Sequence, residues 1–220
     1  MDKSYFLQML LYIPGIIIGL SLHEFAHALA ADKLGDSTPR LQGRLTIEPW
    51  PHIDLFGFLA LLILHFGWGK PVQIDSRNFK NPRRDGIIVS LAGPLMNLIV
   101  ACIFAAIILG VSNITQLQDI KQMGFLYAIF YMAILMNVVM FVFNLIPIPP
   151  LDGSHIIANL IPKRFWSKYY ILQDFSRWIY IALIVLVFTG AIGYIMNPPI
   201  QIVYSFILRI FHLPDFLQIS

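Results

Sequence analysis

His23 and His27 stand four positions apart with Glu24 between them, in the run His-Glu-Phe-Ala-His. On a helix, positions i and i+4 share a face, so the two imidazoles can present nitrogens to one metal ion while Glu24 stands beside it. A zinc ion held in this way lowers the pKa of its water to about 7 and polarises a carbonyl, and a neighbouring carboxylate can take the proton. That is hydrolytic chemistry. Such a site usually takes three protein ligands and keeps one position open, so a third donor has to come from elsewhere in the chain. Cys102 is the only cysteine, which rules out both an internal disulfide and a cysteine-based metal site.

Asp152 is the best candidate for that donor. It follows Asn144-Leu-Ile-Pro-Ile-Pro-Pro-Leu, where Pro147, Pro149 and Pro150 force the chain out of helix, and Gly153 permits a tight turn directly after the carboxylate. The plainer alternative is an N-cap aspartate opening the next helix. His155 lies close enough in sequence to compete and ranks lower, as a neighbour of the site or an interfacial histidine.

The elements that must position these residues are membrane helices. Of the 220 residues 58% are hydrophobic and 12% charged, with a mean hydropathy of +0.73, whereas soluble chains carry about 25% charged residues. Four uncharged runs are long enough to cross about 30 Å of hydrocarbon. The first is Ser4 to Leu22, continuing through the histidines to Ala31; the others are Gly86 to Gln118, Gln122 to Leu151 and Trp178 to Leu208. No small-residue cleavage site follows the first run, so it is expected to stay in the mature chain rather than leave as a signal peptide. Pro198-Pro199 is expected to divide the last run, leaving Ile200 to Leu213 as an amphipathic tail or an incomplete span. A fifth run, Leu55 to Gly69, is short and glycine-rich and reads as re-entrant or interfacial. The fold expected is an all-α polytopic membrane protein with about four to five transmembrane helices. Residues 1–220 form one domain, since the spans consume most of the chain.

Charge sets the orientation. If the fifth run turns back, twelve of the fifteen lysines and arginines fall on one side, in segments 32–85 and 147–177, which places those segments in the cytoplasm. The first and third spans then run in the same direction, and the histidines and the Asn144 region arrive near the same cytoplasmic end. The net charge of +3 and isoelectric point near 9.0 follow from this topology and do not point to nucleic acid. Segments 44–48 (RLTIE) and 71–75 (PVQID) alternate polar and apolar residues, as a short β-hairpin does, and either hold an extended substrate at a strand edge or lie on the headgroups. Trp50, Trp68, Trp166 and Trp178, with Tyr169, Tyr170 and Tyr180, read as interfacial aromatics, and His52, His65 and His212 as interfacial or packing residues.

A helical HExxH followed about 125 residues later by N-x-x-P-x-P-P-L-D-G resembles the site-2 protease family of intramembrane zinc metalloproteases, in its short single-domain branch. Ala92-Gly93-Pro94-Leu95-Met96-Asn97 is similar to the family's A-G-P-x-x-N element, and Arg44 to Gly57 with Phe66 to Pro71 resembles its linking region. That region often reads H-I-D-P in the family. Here His52-Ile53-Asp54 is followed by Leu55, a change that touches no expected ligand. The resemblance implies one zinc ion held by His23, His27 and Asp152, Glu24 as general base, and Asn97 binding substrate backbone or steadying the oxyanion. It further implies a membrane-protein substrate already shortened by a first cut. From the residues alone, Gly93-Pro94 is expected to break its helix, with Asn97 near the freed backbone groups, and a helix-packing role for Asn97, Asn137 and Asn144 fits as well. The rival from another class is a membrane zinc carrier without proteolysis, which would line a path with ligands on several spans.

Overall fold

The computed structural model of the chain describes residues 3–64, 67–115, 120–162 and 176–215. His65, Trp166, Tyr169 and Tyr170 lie outside the described residues, as does the side chain of Tyr180. The described residues are mainly helical. Three long helices form the body: α1 (Lys3–Lys33), α4 (Pro82–Thr115) and α5 (Ile120–Asn144), with the short α2 (Thr38–Leu41) and α3 (Leu55–Leu64) between the first two. After α5 come α6 (Asp152–Leu160), α7 (Ser176–Phe188) and α8 (Ile192–Ile210). Among the described residues three helices are long and apolar enough to cross a membrane, and α7 with α8 makes a fourth if the bent pair is one span.

Helices α1, α4 and α5 pack on one another, α6 packs on α4, and α8 packs on α5. Small residues bring the first three close. A side chain at Gly15 would meet Ala133 Cα at 2.6 Å, and one at Gly19 would collide with the Asn137 amide. Lipid tails are as apolar as leucine, so helices in a bilayer associate through this kind of close packing. Pairing Gly15 with Ala133 and Gly19 with Asn137 also shows that α1 and α5 run parallel, as the charge distribution requires. The apolar core lies between Val100, Ala101, Phe104 and Ile108 of α4, Tyr131, Ile134 and Val138 of α5, and Tyr204, Ile207 and Leu208 of α8.

Two expectations about proline are corrected. Pro94 lies inside a continuous α4, and Pro198-Pro199 lie inside α8. The last apolar run breaks earlier, at Gly190 (φ 72°), and its two halves meet at 74°. A proline ring holds φ near the helical value and removes only one donor, which packing can offset, whereas a left-handed glycine redirects the chain outright. Ile200 to Leu213 is therefore mostly the second half of α8, anchored through the core.

The fifth run turns back. The ten residues of α3 rise about 15 Å, half of what a crossing needs. Asp54 accepts the Gly57 N–H at 2.8 Å at the helix start, and the chain returns to an antiparallel bridge between Ile53 and Gly69. Side chains at Gly57 and Gly67 would strike the Trp68 and Gly57 carbonyls, so both glycines are needed for the return.

The hairpin expected from 44–48 and 71–75 is not formed. Lys70 N–H pairs with the His52 carbonyl at 2.8 Å, and side chains take two amides that a strand partner would need: Val72 N–H goes to Glu24 at 2.9 Å and Asp75 N–H to Asp36 at 2.8 Å. Asp36, fully buried, also accepts from the Thr38 hydroxyl at 2.6 Å and the Asn78 amide at 2.8 Å. Burial alone would raise its carboxyl pKa, but these hydrogen bonds outweigh burial and hold it below the usual value of 3.8. A lowered folded-state pKa contributes stability above the unfolded value that disappears as pH falls through the folded one. Asp36→Ala should therefore cost about 1.5–3 kcal/mol at neutral pH. Thermal unfolding of parent and variant should show that gap narrowing as the pH drops below 3.8.

Candidate metal centre

Helix α1 carries His23 and His27 on one face, one turn apart, with their Nε2 atoms 3.0 Å from each other. Asp152 reaches them from the first turn of α6. The chain leaves α5 at Asn144 and turns through the proline-rich stretch, and Gly153 packs against the Leu145 and Ile146 carbonyls so closely that a side chain there would clash. Asp152 does not cap α6. Its Oδ2 lies 3.2 Å from His23 Nε2 and 3.3 Å from His27 Nε2, is buried, and has no hydrogen-bond partner.

The remaining ring nitrogens face acceptors. His27 Nδ1 is 2.7 Å from the Val89 carbonyl, which can only accept, so Nδ1 carries the proton and Nε2 is free to ligate. His23 Nδ1 lies 2.7 Å from Asn97 Oδ1. Tetrahedral ligands at about 2.0–2.1 Å from zinc stand about 3.3 Å apart, close to the three separations found here. Among the described residues these three make the one group of histidine, cysteine, aspartate or glutamate able to hold a metal ion. All of it sits at one depth, unlike the ladder of ligands a carrier would need.

Glu24, next to His23, is 8% exposed and is held from the α3–α4 connection. Its Oε2 takes the Val72 N–H, and Arg44 Nη2 stands 3.9 Å from the same oxygen while donating to the Lys70 carbonyl. Glu24 Oε1 has no hydrogen-bond partner among the described residues. Burial lowers the Arg44 pKa, with Glu24 acting in the opposite direction.

Comparison with known proteins agrees with this geometry. The residue pattern of Peptidase family M50 matches residues 108–189, a stretch that includes Asp152. YwhC of Bacillus subtilis, provisionally named a zinc metalloprotease, is 37% identical over 198 residues, 89% of this chain and 88% of its own. The chain belongs to peptidase family M50, the site-2 proteases. Rip2 of Mycolicibacterium smegmatis, with the same provisional description, is 32% identical over 196 residues, covering 86% of this chain and 71% of its own length. MJ0392 of Methanocaldococcus jannaschii, named a zinc metalloprotease, is 26% identical over 165 residues, 75% of this chain and 38% of its own. No solved structure gives a significant match.

The site-2 protease motifs thus meet at one point, and three expectations gain detail. Asn97, fully buried, faces His23, not an open cleft, with its Nδ2 on the Gly19 carbonyl at 3.1 Å. Asn144 donates within its own helix, to the Met140 carbonyl. His155 is exposed and outside the group. Sequence reasoning did not single out Gly93, Val89, Val72 or Arg44 as parts of the site. Two of these act through backbone groups, which leave no trace in residue type. The signal for Gly93 was its place in the A-G-P element: a side chain there would lie 2.7 Å from His23 Nε2 and still closer to His27 Nε2. Alanine is favoured over glycine inside a helix by about 1 kcal/mol. Gly93→Ala should therefore weaken zinc binding tenfold or more in a chelator competition, and because both buried imidazoles must shift to admit the methyl group it should also lower the unfolding temperature of the metal-free protein despite that gain.

Proposed function

We propose that this chain is an intramembrane zinc endopeptidase in which His23, His27 and Asp152 hold the metal and Glu24 is the general base. The observation that carries the reading is the convergence of two histidine Nε2 atoms and one orphaned carboxylate oxygen beside a second carboxylate that is not part of the group. A zinc ion bound there supplies a water acidic enough to ionise near neutral pH and an electrophile for the scissile carbonyl.

The chain's own residues do the rest. Asn97 and the Val89 carbonyl hold the Nδ1 protons of the two histidines, which keeps both Nε2 lone pairs directed at one point. Val72 N–H holds Glu24 Oε2, leaving Oε1 to take a proton from the attacking water and return it to the leaving amine. Gly93 lets α4 pack directly against both imidazoles, which helps hold their Nε2 atoms in place.

The histidines sit on a helix long enough to cross the bilayer, which supports a scissile bond within a transmembrane segment of another protein; the family resemblance implies that this substrate has already been shortened by a first cut. The lysine and arginine distribution supports four spans within one 220-residue domain and an active site near the cytoplasmic face. No observation favours the carrier reading. Glu24→Gln tests the proposal: cleavage of a model transmembrane substrate should fall about 10²–10⁴-fold while zinc content stays at one per chain. Full retained cleavage, or zinc uptake into vesicles without cleavage, would count against it.

A further inference from the structure

Asn137 on α5 touches none of the candidate ligands, yet it is fully buried and joined to the metal group through one intermediate. Its Nδ2 faces the Gly15 carbonyl at 3.2 Å and the Ala133 carbonyl at 2.9 Å. Carbonyls only accept, so the atom facing them must be the amide nitrogen, and Oδ1 is left pointing the other way. There it meets Asn97 Nδ2 at 3.2 Å, which also donates to the Gly19 carbonyl at 3.1 Å. Two acceptors therefore fix the orientation of Asn97 as well. With its nitrogen committed, Asn97 can offer His23 only Oδ1, at 2.7 Å, and His23 Nδ1 must be the donor. The proton is then excluded from Nε2, the atom aimed at Asp152 and His27.

We propose that Asn137 and Asn97 form a relay of positioning residues that converts the backbone carbonyls of Gly15, Gly19 and Ala133 into a fixed His23 tautomer, and so sets metal affinity from one helix layer away. This rests on the metal-binding reading of His23, His27 and Asp152. Its logic is geometric. Gly15, Gly19 and His23 follow one another at four-residue intervals on α1; Gly15 admits the close approach of Ala133 and Gly19 admits the Asn137 amide, which a side chain would displace. A rotated Asn97 would donate to Nδ1 and leave the proton on Nε2, where it competes with the metal. Purely structural interhelical hydrogen bonds would not require the oxygen of the last amide to end on a ligand.

Substitutions at position 137 separate the two roles. Asn137→Asp keeps the oxygen that accepts from Asn97 but loses the donor to Gly15 and Ala133 and buries a carboxyl group. Asn137→Leu removes the acceptor and leaves no buried charge. In detergent-solubilised full-length protein, zinc affinity by chelator competition should fall three- to tenfold in Asn137→Leu and stay within threefold of the parent in Asn137→Asp. The melting temperature of the metal-free protein should run in the opposite order, lowest for Asn137→Asp. Asn97→Ala should lose 10–100-fold in zinc affinity, the range for direct partners of metal-bound histidines. Asn137→Leu should add nothing to Asn97→Ala, because it acts through that residue. Zinc affinity that tracks melting temperature across the set, or independent losses in the double variant, overturns the relay. A parent protein that binds no zinc would instead overturn the metal-site reading.

Discussion

Two imidazole nitrogens and a carboxylate oxygen, all within 3.3 Å of one another and shielded from water, repel unless a proton or a metal ion lies among them. That demand organises the molecule. Buried acceptors of this kind are costly in any protein interior and more so within a helical membrane bundle, where no solvent compensates. The cost is tolerable only if three helices hold the atoms in register, since a shift of one residue in α1 would carry both histidines off the face that meets Asp152.

Glycine supplies that register. Gly15 and Gly19 let α1 lie against α5, Gly93 lets α4 approach both histidines, and Gly153 lets the first turn of α6 tuck under the end of α5. Each is a point where a single methyl group would push a ligand-bearing element away. The polar groups around the site then fix rotation as well as distance. Val89 and Asn97 govern the two rings, and the α3–α4 connection, anchored by Asp36, sets Val72 against Glu24 while its Lys70 carbonyl holds Arg44 of the α2–α3 segment nearby. The missing hairpin thus has an explanation: the connection gives the Val72 and Asp75 amides to carboxylates rather than to a neighbouring strand.

Much of this was legible in the residues. The two histidines and Glu24 announce themselves by spacing, and Asp152 by the prolines that release it from helix. The glycines of 55–69 signalled the turn-back, and the lysine and arginine distribution signalled that α1 and α5 run parallel. What stayed hidden was carried by backbone atoms or by competition between equally reasonable local rules. Alternation in 44–48 and 71–75 suggested strands because pattern alone cannot reveal that Glu24 and Asp36 would claim the Val72 and Asp75 amides. The prolines of α4 and α8 suggested breaks, but the core formed by Tyr204, Ile207 and Leu208 held α8 intact, and Gly190 bent the chain instead. Asn97 was noticed, though its direction was not, because an amide reads the same in sequence whichever end faces the site.

X-ray absorption at the zinc edge on purified, zinc-loaded protein addresses the central claim most directly. One zinc per chain with two imidazole nitrogens and oxygen donors at about 2.0–2.2 Å is the expected result, with one imidazole lost in His27→Ala and carboxylate oxygen lost in Asp152→Ala. A first shell unchanged by either substitution, or zinc that fails to bind stoichiometrically, would contradict the account.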